Sequence, residues 1–451
     1  MVSLRGLLKI SQRHTRPTAS ALRASTVAPA SGSPFINNSQ GASAAVADLS
    51  DALGTVFDQI DLDGDLNSQI SGLLERLDQE ASQYGNSQLK DEQYSDWECS
   101  PEKAELASVA WHCAREVYET SSGLPNGPVR KGKWKLVPGD CVVPSTDGTI
   151  KAVSFNHVST LEEGTENKDL PVLVVAIRGS ASAVDHMVNA NYEPRNADDF
   201  IDVSRLAPEQ STTLQAHSGF LNSARALDKA VSQRIQMYIC ENASNYSHVL
   251  FTGHSAGGAV ASLLFLRYLA QERLYPETRF SCITFGAPPV VTVPLLERPM
   301  IGNSSGVCLN IINEFDPVTR ADGSYKQCLM DLIHSIYKQR PALPRSEPSS
   351  TTVDSLLTDD SEGFSKGKDW SVLPSCYSHV GPRIVLLLRL KTSLKESSLR
   401  LRAVEVPRAD FDRLLFCRVA VHRRVCYGER VELITEGEFN GRTSWYDTKY
   451  Q

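Results

Sequence analysis

The sequence predicts an α/β fold with a mainly parallel central sheet flanked by helices. Three observations predict it. Short runs at 170–177, 247–251, 280–285 and 307–312 are apolar on both alternations and rich in β-branched residues, as strands buried on both faces must be. Segments at 218–240 and 260–269 read as helices between those strands, the crossovers that parallel pairing requires. At 247–261 an apolar strand runs through Gly253-His254-Ser255-Ala256-Gly257-Gly258 straight into an apolar helix.

The bulk numbers bound the answer. A chain of 451 residues makes one large or two ordinary domains, and a hydrophobic fraction of 41% supports a sizeable core. The formal net charge of -7 leaves no basic excess for nucleic acid. No run of about 18 apolar residues reads as a transmembrane helix. The 10 cysteines form no CxxC pairs and read as mostly buried, reduced thiols, which leans toward an intracellular, cytoplasmic protein. No metal-ligand spacing stands out, and no metal or cofactor is expected.

Along the chain, residues 1–48 form an N-terminal tail, expected to be disordered. Met1 to Ala47 holds no acid, carries Arg5, Lys9, Arg13, Arg16 and Arg23, and is rich in Ser and Ala. That composition suits either a plain tail or a mitochondrial transit segment. Residues 49–95 are a helical extension and linker. Leu49, Leu53, Val56, Phe57 and Ile60, then Leu66, Ile70, Leu73, Leu74 and Leu77, recur at helical spacing, and Gln79 to Gln93 reads as polar linker. The acidic run Asp61 to Asp65 lacks the glycine and glutamate positions of a calcium loop and reads as a turn.

Residues 96–440 form the main domain, with a flexible insertion at 340–368, and 441–451 are a C-terminal tail. Ser100-Pro101-Glu102 opens a helix with a serine cap and proline in the first position. Lys133 to Val143 and Ile150 to His157 read as a hairpin about a turn at 144–148. Asp198 to Val203 suggests a short strand, and Ala216 to Asn222 opens a helix in which His217 is structural.

Gly-x-Ser-x-Gly between a strand and a helix is the nucleophile-elbow pattern of an α/β-hydrolase fold. The serine must take a strained backbone conformation to lift its hydroxyl above the sheet. Side chains at Gly253 and Gly257 would then collide with neighbouring backbone. Ser255 is the candidate nucleophile. The helix that follows turns its free N–H groups toward developing negative charge. An acyl-transfer oxyanion needs two preorganised donors. The N–H of Ala256 is one, and Ser180, at the end of the strand 170–177, is the other. Ala183 to Asn191 reads as a short amphipathic helix, either a lid over the site or an ordinary surface helix.

Asp316 follows the strand 307–312 in a loop at the carboxyl edge, where ligands bind in open α/β sheets. An acid there can orient a histidine and stabilise its charged form. The bland alternative is an Asp-Pro turn. Asp322 and Glu314 are weaker candidates. The base must follow the acid, which leaves His334, His379 and His422. His334 lies in an amphipathic helix and is expected to face a neighbour. His379 precedes the strand 380–388, at the wrong edge if that strand runs parallel. His422 sits in a late loop or helix start with Tyr427 behind it and is preferred; His379 remains the alternative base.

With these motifs in order, the chain resembles the class 3 lipase family, of fungal lipase type. The resemblance covers roughly 100–433 and rests on Ala176 to Ser180, His217-Ser218-Gly219-Phe220, Gly253 to Gly258, Thr284 to Pro288 and Asn313 to Val318. It implies Ser255 as nucleophile, Asp316 as acid, a C-terminal histidine as base, Ser180 with Ala256 as oxyanion hole, and a lid just after Ser180. It also implies that Tyr377-Ser378-His379 matches a non-catalytic segment, which moves weight to His422. Ile177 where the family has an aromatic residue, the missing secretion signal and the long insertion before Trp370 are departures. The expected reaction is hydrolysis of a lipid carboxylic ester, acylglycerol by preference. The rivals are a phospholipase or acyltransferase of the same fold and a non-catalytic binding protein. A lipid ester substrate and peripheral contact with a membrane or lipid-droplet surface are the expected partners.

Overall fold

In the computed structural model the described residues are 68–90, 94–119, 128–131, 133–145, 151–161, 169–180, 193–206, 213–242, 247–275, 277–295, 305–338, 368–381, 383–390 and 400–445. The tail 1–48, the first helix of the extension, the lid segment 183–191 and nearly all of the insertion 340–368 lie outside them.

A nine-stranded sheet carries the domain, in the order β1-β2-β3-β4-β7-β8-β9-β10-β11. Its strands are β1 (Val129–Lys131), β2 (Trp134–Val142), β3 (Val153–Thr160), β4 (Val172–Ile177), β7 (Ser247–His254), β8 (Thr278–Phe285), β9 (Ser305–Asn313), β10 (Arg383–Leu390) and β11 (Arg400–Pro407). The central run β4-β7-β8-β9-β10 is parallel throughout. The antiparallel meander β1-β2-β3 extends one side and β11 closes the other. A small antiparallel pair, β5 (Pro194–Asn196) with β6 (Gln215–His217), stands apart from this sheet.

The apolar strand runs explain the layering. Every residue of β4 and β7 is buried. Along β4, Leu173, Val175 and Ile177 enter one core with the helices α4 (Ser218–Glu241) and α5 (Ala256–Ala270). Val172, Val174 and Ala176 enter the opposite core with α2 (Pro101–Glu116) and α8 (Arg424–Glu436). Each such aliphatic side chain contributes about 1.5–3 kcal/mol by burial, so a polar residue on either alternation of β4 would be felt at once. The helix α2 starts as its sequence dictates: the Ser100 hydroxyl accepts the Lys103 N–H at 3.3 Å, with Pro101 in the first turn. The helix α8 stops at Gly437, left-handed at φ 81°.

Three expectations need correction. Residues 198–203 do not form a strand; they turn, with Leu214 N–H donating to Asp198 Oδ1 at 2.8 Å, and lead into the single-turn helix α3 (Val203–Leu206). Residues 79–90 are not a free linker. The helix α1 (Ser68–Ala81) runs into turns at 82–87, and Asn86 is stitched to three strangers in sequence. Its side chain donates to the carbonyls of Trp370 and Arg413 at 3.0 and 2.7 Å, and Leu415 N–H donates to its own carbonyl at 2.9 Å. Composition marked the segment as polar, and those polar groups serve backbone far away. The cysteines are all thiols, but Cys240 and Cys376 are exposed and Cys141, Cys308 and Cys426 are partly so.

Candidate active site

The carboxyl ends of β4, β7 and β9 bring the candidates together. Ser255 follows β7 with φ 57° and ψ -134°, a conformation an L-residue adopts only where its surroundings enforce it. Its own N–H donates to the Phe285 carbonyl at 2.9 Å, which ties the turn to the end of β8. The steric reason for the glycines is explicit. A Cβ on Gly253 would stand 2.4 Å from the carbonyl carbon of Gly257, and one on Gly257 would stand 2.1 Å from the Ile177 carbonyl oxygen. The elbow is therefore pressed against the end of β4. That contact brings Arg178-Gly179-Ser180 to Ser255: a Cβ on Gly179 would lie 2.7 Å from the His254 carbonyl oxygen and 3.4 Å from Ser255 Cβ. Ser180 and Ala256 are both buried beside this contact, Ala256 as the first residue of α5.

Asp316 and His422 meet although 106 residues separate them. His422 Nδ1–H donates to Asp316 Oδ2 at 2.8 Å, and both side chains are essentially excluded from solvent. Because the carboxylate can only accept, the proton sits on Nδ1 and leaves Nε2 as the basic nitrogen. Asp316 is also the cap of the short 3-10 turn Pro317–Arg320, its Oδ1 accepting the Val318 N–H at 3.0 Å. The two carboxylate oxygens are divided: Oδ1 caps the turn and Oδ2 meets His422. His422 ends a 3-10 turn, Val419–His422, directly ahead of α8. Asn313 Nδ2 holds that turn by donating to the Val421 carbonyl at 2.8 Å.

The structure separates the other candidates from this pair. His379 is buried beside Phe411, and its Nε2–H donates to the Ala287 carbonyl at 3.0 Å. Burial holds its imidazole neutral, pulling its pKa down to about 4. His334 is exposed on α6 (Gly323–Lys338), although its helix had been expected to turn it toward a neighbour. Asp322 caps α6, accepting the Tyr325 N–H at 2.8 Å, and Glu314 accepts the Leu89 N–H at 3.3 Å. His217 stacks on Phe220 with centroids 4.1 Å apart, a packing role. Among the described residues no cluster of three or more His, Cys, Asp or Glu side chains could hold a metal ion. None of the helices among the described residues is long and apolar enough to cross a membrane.

Two site residues carried no role in the sequence reading. Tyr427, one turn into α8, donates its hydroxyl to Asp316 Oδ2 at 2.7 Å and accepts the Asn313 N–H at 3.0 Å. Burial first, and then the Asp316 carboxylate, raise its pKa well above the ordinary phenol value, so it stays a donor. His254, immediately before the nucleophile, donates from Nε2 to the main-chain carbonyl of His422 at 3.0 Å. Its Nδ1 faces the Tyr118 hydroxyl at 3.4 Å. The position of Tyr427, five residues after His422, was the available signal for the first. Nothing local in the sequence signals the second.

A strained serine between β7 and α5, at the carboxyl edge of a parallel sheet, defines the architecture of an α/β hydrolase. Residues 174–326 match the profile of the class 3 lipase family. That match runs from β4 through the Ser255 turn and Asp316 to the start of α6, and over that segment the chain is similar to class 3 lipases. A search of curated proteins returned no match. Among solved structures, similar chains include the Rhizomucor miehei lipase propeptide complex, at 20% identity over 53% of this chain and 70% of that one, with a TM-score of 0.35. Lip2 lipase from Yarrowia lipolytica is 15% identical over 51% and 79%, with a TM-score of 0.37. The mono- and diacylglycerol lipase from Aspergillus oryzae is 16% identical over 49% and 74%, with a TM-score of 0.31.

Proposed function

We propose that this protein is a serine lipase that cleaves acylglycerol-type esters through an acyl-enzyme. The observation that carries the reading is the buried 2.8 Å pair between His422 Nδ1 and Asp316 Oδ2. A charged carboxylate and an imidazole withdrawn from water cost free energy unless they are paired, and pairing them next to a strained serine suits one chemistry.

In this reading Ser255 Oγ attacks the ester carbonyl carbon while His422 Nε2 takes the hydroxyl proton. The carbonyl oxygen becomes an oxyanion held by N–H groups of Ala256 and Ser180. The C–O bond to the alcohol breaks as His422 returns the proton to the leaving oxygen. Water then attacks the acyl-enzyme, giving its proton to His422; the bond to Ser255 Oγ breaks as His422 returns that proton to Oγ, and the fatty acid leaves. Asp316 keeps the proton on Nδ1 and offsets the imidazolium charge. No cofactor is required. Peripheral contact with a membrane or lipid-droplet surface, and an intracellular location with 1–48 as a plain tail, belong to the same proposal. A fluorescent fusion of the full chain tests the location.

The test of the chemistry is covalent labelling with a fluorophosphonate beside hydrolysis of p-nitrophenyl esters of graded chain length. Labelling of Ser255 that disappears in Ser255→Ala, together with hydrolysis lost in the same variant, is the expected result. A folded protein that neither labels nor hydrolyses overturns it. Product analysis with and without an added alcohol separates hydrolysis from acyl transfer, and glycerolipid against phospholipid substrates separates lipase from phospholipase.

A further inference from the structure

The N-terminal extension reaches the acid–base half of the site through the apolar face of α1 and through an ion pair to Arg418. Helix α1 packs Leu74, Leu77 and Ala81 into a cluster with Val318, Leu415, Cys417 and Val419, the residues that flank Asp316 and lead to His422. From the same helix, Asp78 Oδ2 accepts Arg418 Nε–H at 2.8 Å. Arg418 precedes the turn that ends at His422, and its guanidinium lies over the Phe315 ring at 4.4 Å from the centroid. The Arg418 N–H also donates to the Phe315 carbonyl at 3.0 Å.

Phe315 is the point of leverage. It precedes Asp316 and has φ 72°, left-handed for a bulky side chain. A bulky residue in that region is strained and persists only where its surroundings over-determine it. Here the determinants are the Arg418 guanidinium on one side of the chain, the Arg418 N–H on its carbonyl, and Phe416 edge-on to its ring at 5.9 Å. Relaxation of Phe315 would swing the Asp316 carboxylate. Relaxation of Arg418 would move the turn that carries His422.

On the reading that Asp316 and His422 act with Ser255, we propose that α1 is a clamp: Asp78, acting through Arg418, holds Phe315 in its left-handed conformation and so sets the Asp316–His422 geometry. Asp78 and Arg418 are positioning residues and touch no reacting atom. The helix lies outside the segment 174–326 that matches the lipase profile, as do Arg418 and His422.

The experiment uses the full chain as Asp78→Ala, Arg418→Ala, Arg418→Lys and the swapped pair Asp78→Arg with Arg418→Asp. Asp78→Ala should lower kcat by about 1.4- to fivefold, the scale of a half-exposed ion pair, with KM nearly unchanged. Arg418→Ala, which also loses the ring contact, should lose more, and Arg418→Lys should fall between. The swap should recover part of the Asp78→Ala loss. In parallel, hydrogen exchange at 314–318 and 418–422 should quicken in Asp78→Ala. Unchanged exchange there, or a loss of kcat equal in Asp78→Ala and in an exposed α1 control such as Glu75→Ala, overturns the clamp. Quickened exchange in a protein whose wild type hydrolyses no ester keeps the clamp and removes the catalytic reading instead.

Discussion

The side chain of His254 holds the main chain of His422: Nε2–H donates to the carbonyl at 3.0 Å, and the two rings lie 4.7 Å apart between centroids. The residue beside the candidate nucleophile thereby grips the backbone of the candidate base. Both are buried, so the bond is not exchanged for water. The contact lies one residue from Ser255 and on the main chain of His422 itself.

Substituting His254 should therefore damage turnover more than binding. His254→Ala is expected to lower kcat by about tenfold, the worth of one buried hydrogen bond, and to leave KM within about twofold. Steady-state kinetics with a short-chain p-nitrophenyl ester check it. An equal rise in KM with kcat intact would show that His254 shapes the substrate pocket instead.

Tyr427 supports the acid. Tyr427→Phe keeps the ring packed against Trp111, with centroids 6.0 Å apart, but removes the donor to Asp316 and the acceptor for the Asn313 N–H. The cost should be about 1.5–3 kcal/mol of stability, as for a hydrogen bond to a buried charge. Denaturant midpoints measure it. A midpoint equal to wild type would place the Asp316 charge elsewhere in the network.

The alternative bases separate cleanly. His422→Ala should lose about 10⁴-fold or more in kcat and His379→Ala should keep the chemistry, because His379 spends its ring N–H on the Ala287 carbonyl. Kinetics of the two variants at equal folded concentration decide the matter.

His379 also predicts how stability depends on pH. Burial lowers its folded pKa to about 4, against 6.5 in the unfolded chain. Between those values the unfolded chain binds a proton that the folded one refuses, so stability falls as pH drops through that window and is fully present above it. The loss from this residue should approach about 3 kcal/mol near pH 4. His248, buried between Ser281 and the Asp169 carbonyl, is held down to about 3 and adds in the same direction. Urea midpoints at pH 7 and pH 5, for wild type and His379→Gln, should show the smaller acid loss in the variant.

The elbow glycines set a steric limit. Gly257→Ala would put a methyl group 2.1 Å from the Ile177 carbonyl, against a β4 backbone that is hydrogen-bonded on both sides. Overpacking typically costs about 1–3 kcal/mol, and here neither neighbour is a side chain that can turn away. Expression should fall and the soluble fraction should lose fluorophosphonate labelling. A soluble, fully labelled Gly257→Ala protein would mean that the turn can shift.

Much of this molecule was determined by the chain's own order. Parallel strands buried on both faces must be apolar on both alternations, so β4, β7, β8 and β9 announced themselves. The turn at 253–258 needed glycine where backbone meets backbone, and that need is written locally. Asp316 could be placed at the carboxyl edge because an edge follows from strand order. His422 could only be preferred over His379 and His334, because nothing in a linear chain says which imidazole folds back over which carboxylate. The tertiary structure decided that, through a meeting of side chains 106 residues apart. It alone decided that Asn86 is a staple where composition read linker, that His254 grips the carbonyl of His422, and that Asp78 reaches Phe315 through Arg418. The physical reason is the same in each case. Local sterics and periodicity act between near neighbours and leave a pattern in the sequence, whereas a hydrogen bond between distant residues leaves none until the strands that carry them are packed.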